Sequence, residues 1–178
     1  MPAANAQASI GIWARAHVNP LGYGVIGNTD DSGSFVLGSS PGTPAREELM
    51  LQTIAASFMV LATSATAIFQ LAIVFGAPLG EYSYGGANKG KLPTGYRIGS
   101  VFSFALMIAF AGHYLAQLGV FDPIFDPAGN SIVNWVLVAS NALAALANNA
   151  TRSKKERAVW GVTTILMFVA SLVVALQL

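Results

Sequence analysis

The 178-residue chain is 54% hydrophobic and only 10% charged, with a net charge of +1. A water-soluble domain carries roughly 25% charged residues, and a soluble chain this poor in charge would expose apolar patches large enough to aggregate. The absence of cysteine excludes disulfide staples, thiolate metal sites and the dithiol relay of membrane disulfide oxidoreductases.

Residues 1–42 are rich in Gly, Ser, Asn and Pro, and Asn19-Pro20, Gly22, Gly24 and Gly27 interrupt their apolar residues. This composition predicts a flexible or loosely docked N-terminal tail. The alternative is a surface-lying segment around Ile10, Ile12 and Trp13, with Trp13 at the lipid interface. Met1–Ala16 has no basic stretch followed by an apolar core, so the first span is expected to direct insertion itself.

From residue 43 to 178 four apolar stretches dominate, at 51–75, 98–120, 132–147 and 158–178, and none contains a charged residue. Each matches or nearly matches the ~20 helical residues that cross a bilayer core. The first is preceded by Thr43-Pro44, a helix-start signature, with Glu47 and Glu48 in or near the first turn where the helix dipole favours them. Continued to Phe75 it gives about 32 residues and ~48 Å, longer than the ~30 Å hydrocarbon core, so its first turns should reach water or headgroups. Gly76-Ala77-Pro78 ends it. A Gly-rich loop follows, with Glu81, Tyr82, Tyr84, Lys89 and Lys91, and the second span begins near Tyr96-Arg97. Asp122 and Asp126 lie in a short acidic loop before the third span, and Arg152–Arg157 precedes the fourth. The predicted fold is all-α: a four-transmembrane-helix bundle, polytopic in the membrane, behind an N-terminal tail.

Of nine basic residues, seven fall in the 76–97 and 148–157 segments: Lys89, Lys91, Arg97, Arg152, Lys154, Lys155 and Arg157. An even number of spans puts both segments on one side. The positive-inside rule then predicts cytoplasmic basic loops and both termini outside. Arg152, Lys154, Lys155 and Arg157 are expected to meet anionic lipid headgroups. Arg97 precedes Leu106-Met107 by the same offset as Arg157 precedes Leu166-Met167, so each half reads as a helix hairpin.

Few side chains in these spans could carry chemistry. His113 is the one histidine within a span and could bind a cofactor or pigment; His17 lies in the tail, so ligation by two histidines would need another copy of the chain. Asn134, Asn141 and Asn148, seven residues apart, form a slowly drifting stripe on one helix face. They either line a polar path or bond between helices, with Gln70 a plausible partner. Ala62–Ala67 and the Gly99/Ser103 pair are small enough for close helix packing. The 76–95 loop holds six glycines. It reads as a compact connector with a Tyr82/Tyr84 interfacial anchor, or as a binding site using Glu81 and Arg97. No metal-binding, catalytic or nucleic-acid-binding pattern appears, and no cofactor is predicted.

The segments Gly76-Ala77-Pro78-Leu79-Gly80, Gly85-Gly86, Gly90, Leu92-Pro93, Arg97 and Ser100, with a second stretch Ser153–Gly161, resemble an uncharacterised family of small bacterial four-helix integral membrane proteins. The resemblance covers about residues 55–178, implies the bacterial cytoplasmic membrane, and carries no catalytic residue with it. Three functions fit. The first is a non-enzymatic accessory, scaffold or assembly subunit, working with membrane protein partners or as a homo-oligomer. The second is a small carrier or binding protein for an apolar or weakly polar molecule. The third is a pigment- or cofactor-binding subunit using His113. Direction discriminates: Asn134, Asn141 and His113 should converge on a cavity if they bind, and meet side-chain partners if they pack.

Overall fold

The computed structural model describes residues 43–176, with side chains from 46 onward. The tail, including Ile10–Trp13 and His17, lies outside the described residues. Among the described residues every regular element is helical: α1 (Thr43–Val74), α2 (Thr94–Gln117), α3 (Pro127–Ala150) and α4 (Lys154–Leu176). All four are long and apolar enough to cross a membrane, so the chain is an integral membrane protein. At 32 residues α1 is ~48 Å long, while α2, α3 and α4 at 24, 24 and 23 residues are ~35 Å. The surplus of α1 over the hydrocarbon core extends past the membrane.

The helix ends follow from local chemistry. α1 is described from Thr43 onward. It stops because Gly76 adopts φ +88, which lets Gly76 N–H donate to the Ile73 carbonyl and Ala77 N–H to the Ala72 carbonyl, both at 2.9 Å. This is a Schellman arrangement, in which glycine enters the left-handed region without Cβ strain. The same pattern closes α2, where Gly119 and Val120 donate to Ala116 and Leu115.

α3 is longer than the apolar stretch at 132–147 suggests. Asp126 caps it, accepting from Gly129 N–H at 2.8 Å, with Pro127 in the first turn. At the other end Asn148 and Asn149 turn their amides back onto the Ala144 and Ala145 carbonyls at 2.8 Å, so the helix continues through them. α4 likewise begins early, at Lys154, where the Ser153 hydroxyl accepts from Glu156 N–H. Residues Arg157–Gly161 then form one π-helical turn.

α1 packs on α2 and α3 on α4, two hairpins joined by contact of α1 with α4. Small residues on α1 allow this: Ala55, Ala56, Ala62, Thr63 and Ala67 are all buried, around a fully buried Met59. Ala55, Ala56, Met59 and Ala62 form a packed core with Tyr114, Leu137, Met167, Ala170 and Val174 in the half of the bundle away from the basic loops. The outward faces carry large apolar side chains, among them Ile54, Leu61, Ile68, Phe102, Leu143 and Val162. Lipid is the solvent those faces require.

The two faces of α1 give a direct check. Met59 is 0% exposed and Leu61 71% exposed. Truncating Met59 to Ala should cost about 2–5 kcal/mol, whereas Leu61→Ala should stay within about 0.5 kcal/mol. Denaturant unfolding in detergent micelles measures both.

Candidate functional site

The two basic loops meet at one end of the bundle. The 76–95 loop is held in two short 3₁₀ turns, Gly80–Tyr82 and Tyr84–Gly86. It presents its backbone to the start of α4: Ser153 Oγ donates to the Glu81 carbonyl at 2.6 Å, and Trp160 Nε1 donates to the Tyr82 carbonyl at 3.0 Å. Gly86, at φ +67, lies so close to α4 that a Cβ there would sit 2.6 Å from Ser153 Cβ. Lys155 Nζ adds an ion pair to Glu81 Oε2 at 2.7 Å and lies over the Tyr82 ring. That ammonium donates to Glu81 and holds its carboxyl below the ordinary carboxylate range. Partial desolvation opposes the shift; the charges of Lys155 and Lys89 reinforce it.

Tyr84 is the strained residue of this lid. Its φ of +52 is the only left-handed value at a non-glycine among the described residues, a conformation costly for a bulky side chain. Its hydroxyl is 3.1 Å from Ser100 Oγ and donates to the Tyr96 carbonyl at 3.2 Å, while its ring packs against Tyr96. These contacts fix Tyr84 above α2.

Beneath the lid, all four helices line a half-open cavity of about 360 Å³, a volume typical of small-molecule sites. Phe69, Tyr84, Phe110, Met107, Met167 and Trp160 give it largely apolar walls, and Phe69 meets Trp160 edge-on at 4.8 Å between centroids. Two polar atoms in this wall, Gln70 Oε1 and Asn141 Nδ2, are buried with no hydrogen-bond partner among the described residues. Asn141 is only 5% exposed. Glu156, 8% exposed, and Asn148 line the same space.

The π-turn at Arg157–Gly161 helps shape this wall. The register change frees carbonyls from ordinary helix bonding, and Asn149 Nδ2 donates to the Gly161 carbonyl at 3.1 Å while Thr164 Oγ1 donates to Trp160 O at 2.7 Å. Such turns recur at functional positions of membrane and soluble helices. Trp160 lines the cavity with its indole N–H bonded to the lid.

His113 belongs to a different cluster. Its Nε2 donates to Asn134 Oδ1 at 2.9 Å and lies 2.6 Å from Gln117 Nε2, which also donates to Asn134 Oδ1, at 2.5 Å. Gln117 and Asn134 are buried. This triad ties α2 to α3 at the end of the bundle opposite the lid. The asparagine stripe therefore divides: Asn134 has side-chain partners, and Asn141 faces the cavity together with Gln70. Glu81 and Arg97 do not converge. Glu81 bonds Lys155, and the Arg97 guanidinium donates to the Val74 carbonyl at 2.6 Å, helping to finish α1.

Glu156, Trp160, Phe69 and Tyr84 were not singled out as cavity residues by sequence reasoning. Glu156 could have been noticed as the one acid inside the basic run, four residues before Trp160 and so on the same helix face. Compared with known proteins, the chain matches no family model, no curated protein and no solved structure.

The Glu81–Lys155 link should respond to acid. A carboxyl held low contributes its contact above the ordinary carboxylate value and loses it as pH falls through the lowered one. Tryptophan emission, reporting Trp160 against the lid, should show a step below the ordinary carboxylate range in the wild type and none in Glu81→Gln.

Proposed function

We propose that this protein is a non-enzymatic carrier or binding subunit that holds a small, largely apolar molecule in the cavity beneath the loop lid. The observation that carries the reading is the pair of unpartnered buried amide atoms, Gln70 Oε1 and Asn141 Nδ2, in an otherwise apolar wall. An unsatisfied buried polar group costs about 1–3 kcal/mol. A guest with one hydroxyl or amide supplies both a donor for Gln70 and an acceptor for Asn141. Pockets that are mostly apolar with a few placed polar groups are the usual form of small-molecule sites.

The cofactor reading of His113 ranks behind it, because ligation through Nε2 would have to break the contacts to Asn134 and Gln117. We further infer a bacterial cytoplasmic membrane, with the lid and both basic loops on the cytoplasmic side and the termini outside. Seven of the nine basic residues support that polarity. Arg152 and Lys154, both exposed beside the lid, are the residues best placed to meet anionic headgroups.

Native mass spectrometry after extraction in mild detergent tests the proposal. The wild type should carry a small adduct at one copy per chain. Asn141→Leu, which fills and de-polarises the wall, should reduce its occupancy about tenfold, the equivalent of about 1.4 kcal/mol. A wild type free of adduct, or an adduct equally retained by Asn141→Leu, would contradict the proposal.

A further inference from the structure

The loop end of the cavity differs chemically from its middle. Glu156 lines it, 8% exposed, with Oε2 accepting from Thr151 Oγ1 at 2.5 Å. Among the described residues no protein donor reaches its other oxygen, and the one ion pair is Lys155 with Glu81. The neighbouring cations are engaged elsewhere or face outward. Lys155 is bonded to Glu81, Arg157 donates to the Thr151 carbonyl, Arg97 donates to Val74, and Arg152 and Lys154 are exposed. A cation placed beside this carboxylate gains a charge-assisted contact that no protein group within ion-pair distance supplies.

Around this carboxylate the wall is aromatic. Trp160 lies one helical turn beyond Glu156 on the same face, Phe69 packs on it edge-on, and Tyr84 and Phe110 line the same space. Aromatic rings attract cations through their negative faces, tryptophan most strongly, and the attraction grows when water is excluded. These walls supply apolar contact and few acceptors. That suits an alkylated ammonium, whose charge is shielded by methyl groups, better than a bare ammonium that needs several acceptors.

We propose that the guest is an organic cation: an alkylated ammonium seated between Glu156 and the Trp160–Phe69 wall, with a hydrogen-bonding group reaching toward Gln70 and Asn141. The inference rests on the reading of the cavity as a ligand site and assigns the class of ligand. Asn141 and Asn148, both on the cavity wall, are separated by seven residues, or ~10 Å of helix.

Choline and its uncharged isostere 3,3-dimethylbutan-1-ol differ only in replacing the quaternary nitrogen by carbon, and both carry a hydroxyl. Each is titrated against the full-length protein in mild non-ionic detergent, following the heat of binding by calorimetry. Choline should bind at least tenfold more tightly than the alcohol. Glu156→Gln, which keeps an acceptor for Thr151, should reduce that preference at least threefold. Trp160→Leu, a second variant that leaves the carboxylate in place, should weaken choline more than the alcohol.

If the alcohol binds the wild type as tightly as choline, the cation assignment is overturned and the cavity remains a site for neutral guests. A wild type indifferent to both probes also overturns the cation assignment. The cavity itself is then judged separately, by whether a co-extracted adduct depends on Asn141.

Discussion

Hydrocarbon offers no hydrogen-bond partner, so each polar group carried into this bundle must find one inside the protein or face a space where one can be brought. Most find one close by. Thr63, Thr66, Thr164 and Ser171 donate back to carbonyls of their own helices. Asn149 satisfies a carbonyl at the π-turn, and Gln117, His113 and Asn134 satisfy one another. Among the described residues Gln70 Oε1 and Asn141 Nδ2 are the buried exceptions, and both side chains line one cavity. Because the solvent is lipid, this pair of exceptions is informative; on a water-exposed surface the same two amides would signify nothing.

The two ends of the bundle are built differently for the same reason. Away from the basic loops, alanines on α1 and α4 pack with Met59, Tyr114 and Leu137. Toward the loops, aromatic and polar side chains line the open pocket. That open end needs a cover, which the glycine-rich loop provides. Its backbone carbonyls accept from Ser153 and Trp160, and the Gly86 backbone approaches Ser153 where a side chain would not fit. The strained Tyr84 and the π-turn lie on either side of the same cavity. Both are departures from ideal geometry of the kind that concentrates at functional positions.

The fold was largely legible in the sequence. Charge-free stretches of nearly membrane length gave four spans, and Gly76 located the end of α1. The ends of α3 were not legible, because Asp126 and the Asn148-Asn149 pair look like loop residues until their side chains are seen to bond the helix backbone. Within the site, Gln70 and Asn141 were visible as amides in apolar surroundings, but their fate depends on depth. Asn134 and Asn141 share a helix face, yet only Asn134 lies level with a histidine and a glutamine on α2. Axial register between helices is a tertiary property that periodicity along one helix does not encode. Glu156 was hidden for a simpler reason: a lone acid among Arg152, Lys154, Lys155 and Arg157 looks like part of a solvated charged run. One π-helical turn and a docked loop bury it.

The central question is whether Gln70 and Asn141 are there to hold the bundle together or to receive something. Replacing both by leucine and measuring unfolding in detergent, after removal of co-purified small molecules, separates the alternatives most directly. Amides that lack partners contribute nothing to the packed state, and exchanging polar for apolar groups at such positions is neutral or stabilising. The doubly substituted protein should therefore be as stable as the wild type or more so. A loss of about 2 kcal/mol or more, the cost expected when buried hydrogen-bonded groups are broken, would show that the two amides are structural and that the cavity is not a site kept for a guest.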